Sequence, residues 1–113
     1  MNIGWRINKL KVGDIIIAYV PYEEGQGGKY RPVLIFILTG DEEGFIGLKI
    51  TSKPRNKNRI KIEKWKEAGL SMPSYVQCDN YTFFKVMSGI KKIGRISGQD
   101  FEKVVKKFFN ELN

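Results

Sequence analysis

The chain has 113 residues, 42% hydrophobic and 28% charged, with a formal net charge of +8, one cysteine and no histidine. That size holds a single hydrophobic core, so one domain spanning residues 1–113 is expected, and the composition excludes a disordered tail. The missing histidine excludes Ser-His and Cys-His nucleophile pairs and the usual zinc ligand sets, and a lone Cys78 excludes an internal disulfide.

No apolar run approaches the roughly 18 to 20 residues needed to cross a bilayer; the longest candidate is 32–38. Residues 1–12 alternate polar and apolar side chains and lack the apolar middle of a secretory signal, so a cytoplasmic location without membrane contact is expected. The charge is uneven. Residues 1–48 hold five basic and six acidic side chains and residues 49–113 fifteen and six, so the two stretches carry −1 and +9. A basic half on a small domain points to a polyanionic partner, nucleic acid ahead of an anionic membrane surface. The alternative is a basic protein that is merely soluble.

In chain order, residues 14–20 (DIIIAYV) and 32–39 (PVLIFILT) are rich in β-branched and aromatic residues, and each reads as a strand buried on both faces. The segment between them, PYEEGQGGKYR, carries three glycines and two glutamates and is expected to be a mobile loop. Residues 45–51 (FIGLKIT) form the next strand, reached through a polar turn at 40–44. Beyond a linker around Pro54, residues 59–63 (RIKIE) alternate, with Arg59 and Lys61 on one face and Ile60 and Ile62 on the other. Residues 65–70 (WKEAGL) suit one helical turn stopped by Gly69. Three short strands follow at 75–78, 82–86 and 90–96, separated by Asp79-Asn80 and Ser88-Gly89 turns. At the end, Phe101, Val104, Val105, Phe108, Phe109 and Leu112 recur with helical spacing, while Lys103, Lys106 and Lys107 take the other face. Ser97 supplies the cap, and Asp100 can reach back as in a capping box. Six or seven short strands ending in one helix predict a mainly β protein, a curved antiparallel sheet or β-barrel with a C-terminal α-helix. Strand order does not follow from the pattern.

Two clusters carry chemistry. In GQGGKYRPVLIF (25–36), Pro32 fixes the backbone beside Arg31 and places a guanidinium at the mouth of a buried strand, suited to a bidentate grip on a phosphate. The alternative is an ordinary salt-bridged arginine at a strand start. In KITSKPR (49–55), Thr51 and Ser52 set two hydroxyls among basic side chains and offer neutral donors to one phosphodiester. The alternative there is a solvated strand end with a Ser/Thr turn.

The start KVGDIIIAYVPY, the glycine-rich segment, RPVLIF, ITSKP, SYVQCDNYTF and IGRIS ahead of a final helix, in that order across about residues 11–112, resemble the MazF/PemK-type toxins. The resemblance implies a Src-homology-3-like barrel of the MazF/PemK/CcdB type that forms a homodimer. It implies an endoribonuclease that cuts single-stranded RNA, such as mRNA, at short sequences without metal or other cofactor, leaving a 2′,3′-cyclic phosphate and a 5′-hydroxyl. Such a toxin inhibits growth until an acidic cognate antitoxin lays an extended segment in the RNA groove. Carried over residue by residue, the resemblance makes Arg31 the catalytic arginine and Thr51 the catalytic hydroxyl, with Ser52 beside it. Gln26, Gly27, Gly28 and Lys29 match the loop that shapes the groove. Relative to the shortest family versions this loop has one extra residue, Tyr30, before the arginine.

Cleavage by the RNA's own 2′-hydroxyl needs that hydroxyl deprotonated, the pentacoordinate phosphorus stabilised and the leaving 5′-oxygen protonated. Arg31 suits the second task, because a guanidinium keeps its proton and stabilises growing negative charge. It suits the first badly, and the base is left unassigned; the loop carboxylates Glu23 and Glu24 are candidates, the alternative being that they are solvated surface acids. Lys53, Arg55, Arg59 and Lys61 are expected along the RNA backbone, with Tyr22, Tyr30 or Trp65 stacking bases. The alternatives are a solvated strand face for the basic set and core packing for Trp65. The competing function is a non-catalytic barrel that binds nucleic acid or poisons DNA gyrase as CcdB does.

Overall fold

The structure, a computed structural model, describes residues 10–22, 24–40, 44–54, 57–86 and 90–112, with side chains to residue 110. Six strands and one helix follow one another: β1 (Asp14–Pro21), β2 (Gly28–Leu38), β3 (Gly44–Thr51), β4 (Arg59–Lys61), β5 (Tyr75–Lys85), β6 (Lys91–Arg95) and α1 (Gly98–Leu112). They form one sheet in the order β4-β5-β3-β2-β1-β6, every neighbouring pair antiparallel. The class is the expected one, mainly β with a C-terminal helix. The ladder itself stays open, with β4 and β6 as its two edges.

Strands β1 and β2 bury both faces, as their unbroken apolar runs implied. The cross-strand pair Ile15 and Leu34 joins Leu48, Val76 and the helix residues Val104 and Phe108 in one core. Its neighbour pair Ile16 and Val33 joins Ile35, Phe45 and Val86 in a second core on the opposite face. Ile15, Ile16, Val33 and Leu34 are wholly buried, and each such side chain contributes about 1.5–3 kcal/mol of transfer free energy. A one-residue slip would exchange the two cores and put the smaller and larger side chains in the wrong places, which pins the register.

Three expectations need correction. The segment 21–31 is not a mobile loop throughout: β2 starts at Gly28, and Lys29, Tyr30 and Arg31 pair with Val20, Tyr19 and Ala18. The chain reverses between Tyr22 and Gly27, with the Tyr22 N–H donating to the Gly27 carbonyl at 3.0 Å and the Gly25 N–H to the Tyr22 carbonyl at 3.1 Å. Cross-strand pairing overrode local composition, and the Tyr19 and Tyr30 rings meet edge to face at 5.4 Å. Glycine is required at position 28 because a Cβ there would lie 2.5 Å from the Val20 carbonyl oxygen.

The Asp79-Asn80 turn does not separate two strands either; β5 runs unbroken from Tyr75 to Lys85. What the polar pair marks is an irregularity: Leu48 pairs with Tyr81 and Ile50 with Val76, so two steps along β3 match five along β5. The first half of β5 pairs with the end of β3 on one side and with β4 on the other. The Ser88-Gly89 turn lies outside the described residues.

In place of the one helical turn expected at 65–70, residues 63–69 form a turn, with the Ala68 N–H donating to the Lys64 carbonyl at 3.1 Å and Gly69 at φ +92°. This turn lies against β6 so closely that a Cβ on Gly94 would sit 1.8 Å from the Ala68 carbonyl oxygen. Ser97 caps α1, its hydroxyl accepting from the Asp100 N–H at 3.1 Å. The Asp100 carboxylate does not reach back as a capping box would. It is buried and accepts from the backbone N–H groups of Glu63 (3.2 Å) and Lys64 (3.0 Å), capping the preceding turn instead. Along α1, Val104 and Phe108 are buried and Phe101 and Val105 pack on the same core, whereas Phe109 is 50% exposed. The Leu112 side chain lies outside those described.

At the start of β1 the wholly buried Asp14 is paired: it accepts from Arg95 Nη1 at 2.8 Å, Lys92 Nζ at 3.2 Å and the Lys11 backbone N–H at 2.8 Å. A buried carboxylate needs such partners, and these tie β1 to the edge strand β6.

Candidate functional site

The β2–β3 ladder runs from Leu38 and Phe45 to Val33 and Lys49 and stops there. One residue earlier stands Pro32, which has no N–H to give. Beyond this point β2 remains paired to β1, while Ile50 and Thr51 pair with β5. A groove of about 560 Å³ opens at the end of the ladder. Arg31 and Pro32 line it from β2, Lys49, Ile50 and Thr51 from β3, Arg59 from β4, and Ser71, Met72 and Ser74 from the segment entering β5.

Arg31, Thr51 and Ser52 therefore share one cavity with Lys29, Tyr30, Lys53 and Arg59. Gln26, Gly27, Gly28 and Lys61 do not line it. Gln26 and Gly27 are exposed at the hairpin tip, Gly28 packs its backbone on β1, and Lys61 is exposed on β4 opposite Tyr75. Arg55 and Glu23 lie outside the described residues. Glu24 is exposed and does not line the groove. Trp65 is half-buried against the core that holds α1, with Lys66 Nζ 5.9 Å from its ring centre, so it packs rather than stacks on a ligand. Tyr22 is 41% exposed beside the hairpin turn.

Five cationic side chains line the groove, Lys29, Arg31, Lys49, Lys53 and Arg59, and among the described residues no carboxylate does. Their charges add over one concave surface, which focuses positive potential there. Arg31 is half-buried, and its Nε–H is buried without a hydrogen-bond partner. A buried donor left without an acceptor costs about 1–3 kcal/mol. Thr51 Oγ1 accepts the Lys53 backbone N–H at 3.2 Å. That turn is the local motif expected for a Ser/Thr strand end, and it leaves the hydroxyl's own proton for donation elsewhere. Arg59 is held on both sides: its Nε–H donates to Gln77 Oε1 at 2.6 Å and its Nη1 to the Lys53 carbonyl at 2.8 Å.

Sequence reasoning did not single out Ser71, Met72 and Ser74, nor the anchoring role of Gln77. The SMPS segment carries only generic turn signals, and its place at the groove depends on β5 pairing with β4. Among the described residues no group of three or more His, Cys, Asp or Glu side chains is arranged to hold a metal ion.

The fold is shared with solved toxins. The chain is similar to Mycobacterium tuberculosis toxin MazF-mt6, with 22% identity, a TM-score of 0.65, and 86% of this chain covered against 95% of that one. It is also similar to MazF from Deinococcus radiodurans, with 16% identity, a TM-score of 0.72, and coverage of 91% and 96%. The same holds for a MazE-MazF complex from that organism, with 16% identity, a TM-score of 0.71, and coverage of 91% and 95%. No curated protein sequence matches this one. A family model described as PemK-like, MazF-like toxin of type II toxin-antitoxin system matches residues 11–110, nearly the whole chain, and the chain belongs to that family.

Proposed function

We propose that the chain is a sequence-specific, metal-independent endoribonuclease toxin that cleaves single-stranded RNA, mRNA included, to 2′,3′-cyclic phosphate and 5′-hydroxyl ends. The observation that carries this reading is the shared groove of Arg31 and Thr51, lined by five cations. A phosphodiester in the groove supplies anionic oxygens that the Arg31 guanidinium can grip through its terminal N–H groups. As the 2′-oxygen attacks phosphorus, charge grows on the non-bridging oxygens. Arg31 is placed to stabilise that charge, and the Thr51 hydroxyl can donate to one of the same oxygens. The bond it accepts from the Lys53 N–H uses the oxygen and leaves the hydroxyl's own proton for that donation.

Glu24 does not line the groove and Glu23 lies outside the described residues, so no base is assigned to remove the 2′-proton. The reading therefore rests on charge stabilisation. The toxin is expected to act in the cytoplasm as a homodimer restrained by an acidic antitoxin. The partner is supported by the chain's family and by the MazE-MazF complexes among similar structures, and by the fit of an acidic segment to a groove lined by five cations.

Freshly purified protein incubated with mixed RNA in EDTA should produce discrete fragments, and Arg31→Ala should lower the rate by about 10³-fold, as loss of a charge-stabilising donor does elsewhere. Wild-type protein that leaves all RNA intact while inhibiting a topoisomerase would replace this reading with that of a gyrase poison.

A further inference from the structure

Arg59 is the one groove cation whose guanidinium is tied down by a chain of hydrogen bonds leading away from the groove. Gln77 faces it across the β4–β5 ladder, is only 5% exposed, and accepts the Arg59 Nε–H through Oε1. The other end of the same amide, Nε2, donates to Asp79 Oδ1, and Asp79 Oδ2 accepts from Asn58 Nδ2 at 2.7 Å. An ionised carboxylate only accepts. Asp79 therefore decides which way the Gln77 amide points: turned over, it would set its NH₂ against the Arg59 N–H and its oxygen against the carboxylate. With Nε committed to Gln77 and one Nη1 proton to the Lys53 carbonyl, the guanidinium has its second Nη1 proton and its Nη2 edge left, charged N–H donors of the kind that bind phosphate oxygens.

We propose that Gln77 and Asp79 are positioning residues that lock Arg59 in the groove with this edge presented, making it a preorganised second phosphate ligand beside Arg31. The inference rests on the RNA reading above and goes past it, since neither Gln77 nor Asp79 lines the groove. The physical gain is the ordering cost of a long, rotamer-rich side chain, met when the protein folds rather than when RNA binds. The lysines of the same groove, Lys29 and Lys53, are exposed and act as mobile point charges.

The test measures affinity for a short single-stranded RNA made uncleavable by 2′-O-methylation, so that catalysis does not enter. Arg59→Ala should bind on the order of tenfold more weakly. Gln77→Met, similar in shape but without the amide, should lose several-fold, and so should Asp79→Ala. Asp79→Asn, which still offers an acceptor, should bind like wild type. In the Arg59→Ala background, Gln77→Met and Asp79→Ala should cost nothing further, because their effect passes through Arg59. Equal losses in both backgrounds, or wild-type affinity in Asp79→Ala, would overturn the inference while leaving the RNA reading intact. If Gln77→Met fails to fold, the two Asp79 variants decide alone, at an exposed position. Wild-type protein that binds no RNA would remove both.

Discussion

At the scale of single residues, Thr51 illustrates how a local turn and a reactive group coexist. Its hydroxyl oxygen is engaged by the Lys53 backbone N–H in an exposed setting, where water can replace a lost bond at little cost. Thr51→Val should therefore leave the melting temperature within a few degrees of wild type while cutting the cleavage rate about 10²-fold, and Thr51→Ser should restore most of it. Parallel melting and fragment-release measurements check this; equal rates for the valine and serine variants would take Thr51 out of the chemistry. Arg31 was legible because Pro32 follows it and restricts its backbone. That its Nε would be buried and unpartnered was not, since burial comes from strands distant in sequence.

At the scale of elements, Asp100 shows a helix residue serving a neighbouring turn. Its carboxylate accepts two backbone N–H groups, from Glu63 and Lys64, in a site only 2% exposed. Asp100→Ala strands both donors, so a destabilisation of about 2–4 kcal/mol is expected, read as a lowered urea midpoint at unchanged m-value. An unchanged midpoint would mean that water reaches those groups. The capping-box pattern in the sequence was real in its residues, and Ser97 does cap α1. It misled about the carboxylate, which is taken up by the Glu63 and Lys64 N–H groups of a turn distant in sequence. The hairpin at 21–31 failed for a related reason. Glycine content argues for a loop, but extended residues gain a full ladder of hydrogen bonds once β1 lies alongside.

At the scale of the molecule, the uneven charge along the chain becomes a cavity with five cations and, among the described residues, no lining carboxylate. If several of them neutralise phosphates, the logarithm of RNA affinity should fall against the logarithm of salt concentration with a slope of about −2 to −3.5. A slope near zero would show that binding does not use this groove. No helix among the described residues is long and apolar enough to cross a membrane.

The sequence by itself determined the class of the fold, the helix and its buried stripe, the two-faced burial of β1 and β2, and the candidate pair Arg31 and Thr51. These follow from periodicity, from β-branched runs and from short motifs, all of which act between residues close in the chain. Only the tertiary structure decided the strand order, the open edges at β4 and β6, the groove that unites β2, β3, β4 and the approach to β5, and the anchoring of Arg59 by Gln77. Each of those depends on which distant backbone groups satisfy one another's hydrogen bonds, a choice that local pattern leaves undetermined until the whole sheet is assembled.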